Sequence, residues 1–209
     1  MPLRILLADD HVIVRQGVKN LLTQAGYDVV GEATDGREAV QLARDLHPDI
    51  ALLDLAMPLL NGIDAAREIR KVSSQTKSIL LTMQNEGPYV AEAFRAGAKG
   101  YVLKTQGAKE LCEAIQEVCR GTVYVSPSVS ASPFGTPAEP AGTSVSLTPR
   151  EREILQLIAE GKSSKEAADI LGISPHTVES HRTRMMSKLA IRSRAGLVRY
   201  AVRQGLVQA

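Results

Sequence analysis

Short apolar segments alternate with amphipathic segments over the first 125 residues, and this alternation restricts the fold more than any other feature. Five apolar runs have the length of buried strands, and they occupy residues 3–8, 27–33, 50–53, 78–81 and 100–103. The segments between the runs place apolar residues at helical spacing, as Val18, Leu21 and Leu22 do. This pattern predicts an α/β fold, a doubly wound parallel sheet with helices on both faces.

Four of these runs end in polar residues. Asp9 and Asp10 follow the first run, Asp54 the third, Thr82 the fourth and Lys104 the fifth. In open parallel sheets the binding site lies outside the carboxyl ends of the strands. Carboxylates, a hydroxyl and an amine at that edge suit a hard cation and a phosphoryl group. Each residue alone has a simpler interpretation: Asp9 as a helix cap, Thr82 as an ordinary strand end, Lys104 as a solvated charge.

The charge is unevenly distributed although the net charge is only +2. Residues 1–125 carry 14 Lys and Arg against 16 Asp and Glu, whereas residues 147–209 carry 11 against 6. The basic second part favours a polyanionic partner. Between the two parts, residues 126–146 consist mainly of Ser, Pro, Ala, Gly and Thr, which predicts a flexible linker.

The sequence also indicates the cellular compartment of the protein. The first ten residues lack the pattern of a signal peptide, and no apolar run has a membrane-spanning length. Cys112 and Cys119 are too few for a disulfide scaffold, which fits a reducing compartment. We therefore expect a cytoplasmic protein that does not insert into a membrane.

The basic second part has the helix signals of a compact all-α domain. Capping boxes occur at residues 148–151 (TPRE) and 163–166 (SSKE). A third helix is predicted over residues 174–189 and a fourth over residues 193–204. A short helix, a glycine-containing turn and a further helix are typical of the helix-turn-helix motif.

Five features occur in the order of a known family. They are ILLADDH (5–11), LLDLAMPLLNG (52–62), LLTM (80–83), AGAKGYVLK (96–104) and the basic helical second part. The chain resembles a two-component response regulator of the NarL/FixJ type over nearly its whole length apart from the linker. The resemblance implies a flavodoxin-like, five-stranded receiver domain at 1–125 and a LuxR-type helix-turn-helix domain of four helices at 147–209. It also implies a transcription regulator and not an enzyme.

By this resemblance, Asp54 accepts a phosphoryl group from a phosphohistidine of a sensor histidine kinase. Asp10 and Asp54 would bind Mg²⁺ directly and Asp9 largely through water, and the Ala56 carbonyl would complete the protein ligands. Without a cation, the three clustered carboxylates would repel one another. Mg²⁺ is therefore the expected cofactor.

The resemblance also gives roles to three residues around the acceptor. Lys104 would hold one phosphoryl oxygen as a point charge, and Thr82 would donate a hydrogen bond to another. Tyr101 would be an aromatic switch that turns inward as Thr82 moves. The simpler alternative for Tyr101 is packing, with its hydroxyl reaching water.

The third helix of the second part has two distinct faces. Val178, Met185 and Leu189 share a face that should enter the core, and the opposite polar face suits the major groove of promoter DNA. The resemblance implies base readers and phosphate contacts along this helix. The expected base readers are His176, Glu179, Ser180 and Thr183, and the expected phosphate contacts are Thr177, Arg182, Arg184 and Lys188.

One such domain offers little area for specific recognition, and a dimer on double-stranded DNA would supply more. The resemblance implies that the phosphorylated protein is a homodimer paired through the fourth helix. Two other functions remain open from the sequence. A Mg²⁺-dependent phosphohydrolase would also use Asp54 as a nucleophile, but Ala56 stands where a second acid–base carboxylate is needed. A DNA-binding protein that works without phosphorylation would retain its first domain only as a scaffold.

Overall fold

The structure, a computed structural model, describes residues 2–83, 87–129 and 147–207. The chain divides into two compact units, Met1–Thr136 and Pro137–Ala209. The division falls within the predicted linker, of which residues 130–146 lie outside the described part of the chain. Residues 126–129 are described, and they pack against the first unit.

Strands and helices alternate through the first unit as predicted. The strands are β1 (Arg4–Ala8), β2 (Asp28–Ala33), β3 (Ile50–Asp54), β4 (Lys77–Thr82), β5 (Gly100–Leu103) and β6 (Tyr124–Val125). The helices are α1 (Val12–Gln24), α2 (Gly36–Leu46), α3 (Gly62–Val72), α4 (Gly87–Ala96) and α5 (Ala108–Cys119).

The strands form one parallel sheet in the order β2-β1-β3-β4-β5-β6. The predicted doubly wound α/β fold is confirmed, but the sheet has six strands where five were expected. The additional strand β6 pairs Tyr124 and Val125 with Gly100 and Tyr101 of β5. Two residues are too few to show a periodic pattern, so this strand is recognisable only from its pairing with β5.

The two faces of the sheet support separate apolar clusters because side chains alternate along each strand. One cluster contains Leu6, Leu53 and Leu80 and packs beneath α2, α3 and α4. The other contains Leu7 and Leu52 and packs beneath α1 and α5. Every residue of β3 is buried, so Asp54 stands at the end of a fully buried strand.

The second unit is helical, as predicted. Within residues 147–207 the helices are α6 (Pro149–Ala159), α7 (Ser164–Leu171), α8 (Pro175–Lys188) and α9 (Arg194–Arg203). Both predicted capping boxes are present: Thr148 with Glu151 begins α6, and Ser163 with Glu166 begins α7. Gly172 ends α7 in the left-handed conformation, with φ of 63°, and so provides the turn before α8.

Candidate phosphoacceptor site and nucleic-acid interface

The carboxyl ends of four adjacent strands bring the predicted residues of the first unit together. Asp9 follows β1, Asp54 ends β3, Thr82 ends β4 and Lys104 follows β5. The exposed fractions of Asp9, Asp54 and Thr82 are only 1%, 3% and 1%. Burying polar groups in this way costs folding free energy unless they are paired.

Lys104 provides the pairing. Its Nζ lies 2.8 Å from Asp9 Oδ2 and 2.9 Å from Asp54 Oδ1. Its backbone N–H donates to the Thr82 carbonyl at 2.8 Å, which fixes the end of β5 to the end of β4. The second carboxylate oxygen of Asp54, Oδ2, is buried and has no hydrogen-bond partner among the described residues. One oxygen of Asp54 is therefore held, and the other is available.

The electrostatics of the site follow from burial and from this ion pair. Burial raises the pKa of Asp54, and the negative charges of Asp9 and Asp10 add to the rise, which Lys104 only partly offsets. Burial lowers the pKa of Lys104, but the attraction of Asp54 and the hydrogen bonds that Lys104 donates to Asp9 and Asp54 outweigh it, so that this pKa is raised. Lys104 thus remains a cation between two acidic groups.

The acidic cluster has the donors that a divalent cation requires. Candidate ligand atoms of Asp9, Asp10, His11 and Asp54 lie within 4.8 Å of one another. Three carboxylates supply hard oxygen donors, which fit Mg²⁺. The sequence reasoning missed His11, whose Nδ1 lies 2.7 Å from Asp10 Oδ1. Its position directly after Asp10 was the available signal.

The backbone around Asp9 is held in place by hydrogen bonds. The nearly buried Arg15 donates from Nη1 to the Asp9 carbonyl at 2.6 Å, and the His11 N–H donates to Asp9 Oδ1 at 2.9 Å. The N-cap of α1 is His11, so Asp9 is not itself the cap of this helix. Its carboxylate is directed toward Lys104 instead.

The loop between Asp54 and α3 is tightly packed. A Cβ on Gly62 would lie 2.1 Å from the Asp54 carbonyl oxygen, so no larger residue fits without moving the acceptor's backbone. Leu59 is held at φ of 64°, an uncommon conformation for a non-glycine residue. Ala56, the predicted carbonyl ligand, lies in this loop and is partly buried.

Tyr101 is completely buried and belongs to the apolar cluster that also contains Leu80, Val90 and Leu103. Its backbone pairs with Leu80 of β4 on one side and with Val125 of β6 on the other. The predicted switch residue is therefore in the inward position, on the strand that leads to Lys104.

In the second unit, α8 buries Val178 and Met185 and directs its polar side chains away from the core. Ser174 begins the helix by accepting from the Thr177 N–H at 3.1 Å, and Pro175 follows as the first helical residue. His176, Thr183 and Arg184 are exposed. Of the predicted core face, Val178 and Met185 are buried, whereas Leu189, the C-cap residue, is only partly buried.

Three of the predicted DNA contacts, Glu179, Arg182 and Lys188, form ion pairs within the unit. Glu179 accepts a hydrogen bond from Ser164 of α7 and forms an ion pair with Arg182. Lys188 Nζ lies 2.7 Å and 2.8 Å from the two carboxylate oxygens of Glu151. Sequence periodicity places these residues on a polar face but does not reveal their intramolecular partners.

None of the helices in the described residues combines the length and apolar character that crossing a membrane requires.

Two family models match the chain. The response regulator receiver domain matches residues 5–116, and the luxR family of bacterial regulatory proteins matches residues 145–201.

Related proteins match over the whole chain. The transcriptional regulatory protein MctR of Rhizobium johnstonii is 38% identical over 206 residues, covering 98% of this chain and 95% of its own. The response regulator UvrY of Escherichia coli is 36% identical, with 99% and 97% covered.

Solved structures agree in fold. A complex of the response regulator RcsB with DNA has a TM-score of 0.60 at 28% identity, covering 96% of this chain and 98% of that one. The chain therefore belongs to the two-component response regulators, with a receiver domain followed by a LuxR-type DNA-binding domain.

Proposed function

We propose that Asp54 is the phosphoacceptor of this response regulator and that a sensor histidine kinase is the donor. The observation that carries the proposal is the buried Asp54 Oδ2, which has no hydrogen-bond partner among the described residues, whereas Oδ1 is held by Lys104. Oδ2 attacks phosphorus, the bond from phosphorus to the donor histidine nitrogen breaks, and its electron pair stays on the histidine. Lys104 Nζ then holds an oxygen of the new acyl phosphate.

Asp9, Asp10, Asp54 and the Ala56 carbonyl would hold Mg²⁺, consistent with the oxygen donors that the cluster brings together. When bound, Mg²⁺ neutralises charge on the transferring phosphoryl oxygens and on the acidic cluster. Lys104 is already within 3 Å of both Asp9 and Asp54, so it needs only a small side-chain movement to reach a phosphoryl group on Asp54.

Thr82 and Tyr101 are proposed to report the occupancy of the site. The Thr82 side chain would donate a hydrogen bond to a phosphoryl oxygen, and its movement would favour the buried position of Tyr101. Because Thr82 ends β4 and Tyr101 pairs with the neighbouring Leu80, the two residues lie on adjacent strands. This arrangement supports a short route from the acceptor to the surface near α4 and α5.

The DNA-binding role is assigned to α8 in the major groove of promoter DNA, with the protein acting in the cytoplasm. The proposed base contacts are His176, Glu179, Ser180 and Thr183, and the proposed phosphate contacts are Thr177, Arg182, Arg184 and Lys188. The solved RcsB–DNA complexes, one of which contains RcsB dimers, support a homodimer on DNA, and we propose that phosphorylation of Asp54 favours this dimer on double-stranded promoter DNA. Enzymatic turnover of phosphoesters is not favoured, since Ala56 supplies no acid–base group.

The test is to add Mg²⁺ and beryllium fluoride, a phosphoryl mimic, and to measure the mass in solution and the affinity for a promoter fragment. We expect a shift to a dimer and tighter DNA binding, both absent in Asp54→Asn. If the mimic leaves mass and affinity unchanged in the unmodified protein, Asp54 does not control the output and the proposal fails.

A further inference from the structure

The segment that leaves β6 is fastened to the strand that carries the switch residue. This segment, residues 126–129, is named the strap. The Ser126 N–H donates to the Tyr101 carbonyl at 2.9 Å, and the Leu103 N–H donates to Ser126 Oγ at 3.1 Å. The same hydroxyl donates to the Glu110 carboxylate of α5. Ser126 thus links Tyr101 and Leu103 of β5 to α5, the helix that follows this strand.

Burial shows that the strap is part of the core of the first unit. Ser126 is 1% exposed and Val129 is 3% exposed. Val129 belongs to the same apolar cluster as Tyr101 and Leu103. The strap therefore packs on the side of β5 where Tyr101 is buried.

The strap also changes the environment of β5 itself. On one edge β5 pairs with β4, and on the other edge it pairs with β6. If the Ser126 hydroxyl were removed, the buried Leu103 N–H would lose its hydrogen-bond acceptor. An unpaired buried N–H lowers the free energy of unfolding. Leu103 directly precedes Lys104, whose own N–H is fixed to Thr82. Ser126 therefore holds the residue that precedes Lys104 at the end of β5.

We propose that the strap positions β5, and that its seating on β5 and the occupancy of the phosphoacceptor site favour each other. This inference rests on the proposed function of Asp54. Such coupling is reciprocal: if occupancy tightens the strap, loss of the strap weakens occupancy by the same factor. The chain continues from the strap toward the DNA-binding domain, so the strap connects the state of the site with the segment that leads to the output.

Two matched variants separate positioning from ordinary stability. Ser126→Ala removes the buried hydroxyl that bonds Leu103 and Glu110. Ser128→Ala removes an exposed hydroxyl of the same strap, which accepts a hydrogen bond from the Gln106 side chain at 2.9 Å. The affinity of the full chain for beryllium fluoride with Mg²⁺ is measured by calorimetry. We expect Ser126→Ala to bind the mimic at least about fivefold more weakly and Ser128→Ala to stay within about twofold of the unmodified protein.

Hydrogen exchange of the unmodified full chain gives a test that does not depend on any variant folding. With Mg²⁺ and beryllium fluoride, amides of residues 122–129 should exchange at least about fivefold more slowly. If the loop after Asp54 becomes protected but residues 122–129 exchange at the same rate or faster, the strap proposal is overturned while the phosphoacceptor assignment stands. If neither region responds, the phosphoacceptor assignment fails, and the strap coupling fails with it.

Discussion

The phosphoacceptor site consists of polar residues that the fold buries, whereas the DNA-facing side of α8 consists of polar residues that the fold leaves accessible. Asp9, Asp54 and Thr82 are almost completely buried, but Thr183 and Arg184 are exposed. The first arrangement requires compensation by Lys104 at every buried carboxylate. The second requires less, because water solvates exposed side chains such as Thr183 and Arg184, although Glu179 and Lys188 have partners within the domain. Substitutions around the phosphoacceptor site should therefore strongly affect the stability of the receiver domain, whereas substitutions of exposed residues on the DNA-binding face should affect stability little.

The largest contrast should appear when one residue of each region is truncated. Leu53→Ala, directly before Asp54 and fully buried, should lower the free energy of unfolding of the receiver domain by about 2–5 kcal/mol through lost burial and a residual cavity. Thr183→Ala on the exposed face of α8 should change that of its own domain by no more than about 0.5 kcal/mol. Hydrogen exchange over a urea series measures each domain separately. Equal losses in the two variants would contradict the comparison.

The two capping boxes of the DNA-binding domain allow the effect of burial on the stability contributed by one motif to be compared. Glu151 is 3% exposed and binds Lys188, so Glu151→Gln should cost about 1–2 kcal/mol of that domain's unfolding free energy. Glu166 makes the same capping bonds to Ser163 on an exposed surface, so Glu166→Gln should cost clearly less. Thermal unfolding of the two variants compares a buried and an exposed copy of one motif. A greater loss in Glu166→Gln would show that burial does not set the strength of the motif.

The pH dependence of the DNA-binding domain should follow Glu151. Burial raises the pKa of Glu151, but the hydrogen bonds from Lys188 and Thr148 outweigh it and hold this pKa below its usual value of 4.5. Because the folded-state pKa is lowered, the carboxylate contributes stability above pH 4.5, and that contribution is lost as the pH falls through the folded pKa. The melting temperature of the domain should decline over this acid range. Glu151→Gln should show a shallower decline, and an unchanged slope would remove Glu151 as the cause.

Sequence patterns predicted the features that depend on neighbouring or regularly spaced residues. The strand ends at Asp9, Asp54, Thr82 and Lys104 were predictable because parallel strands present their carboxyl ends at one edge of the sheet. The capping boxes of α6 and α7 were predictable because both partners lie within four residues.

What the sequence did not reveal depends on contacts between distant residues. β6 exists through its pairing with β5, and the hydroxyl of Ser126 meets Leu103 across 23 positions of the chain. The pairing of Lys188 with Glu151 spans 37 positions, so helical periodicity placed Lys188 on the polar face without its acidic partner. Long-range partners of this kind become visible only when the packing is known.

The ion pair between Lys188 and Glu151 leads to the smallest predicted effect, which concerns the salt dependence of DNA affinity. Each Lys or Arg that neutralises a phosphate steepens the dependence of log affinity on log salt by about 0.9. Lys188 is already neutralised by the buried Glu151, whereas Arg184 is exposed on α8. We therefore expect Arg184→Gln to reduce the magnitude of the salt slope by about 1 and Lys188→Gln to reduce it by clearly less, because a phosphate contact by Lys188 competes with its ion pair to Glu151. Fluorescence anisotropy on one promoter fragment over a salt series measures both slopes. A loss of about 1 in Lys188→Gln would show that DNA displaces Glu151, and the α8 face would then be less independent of the folded core than its exposure indicates.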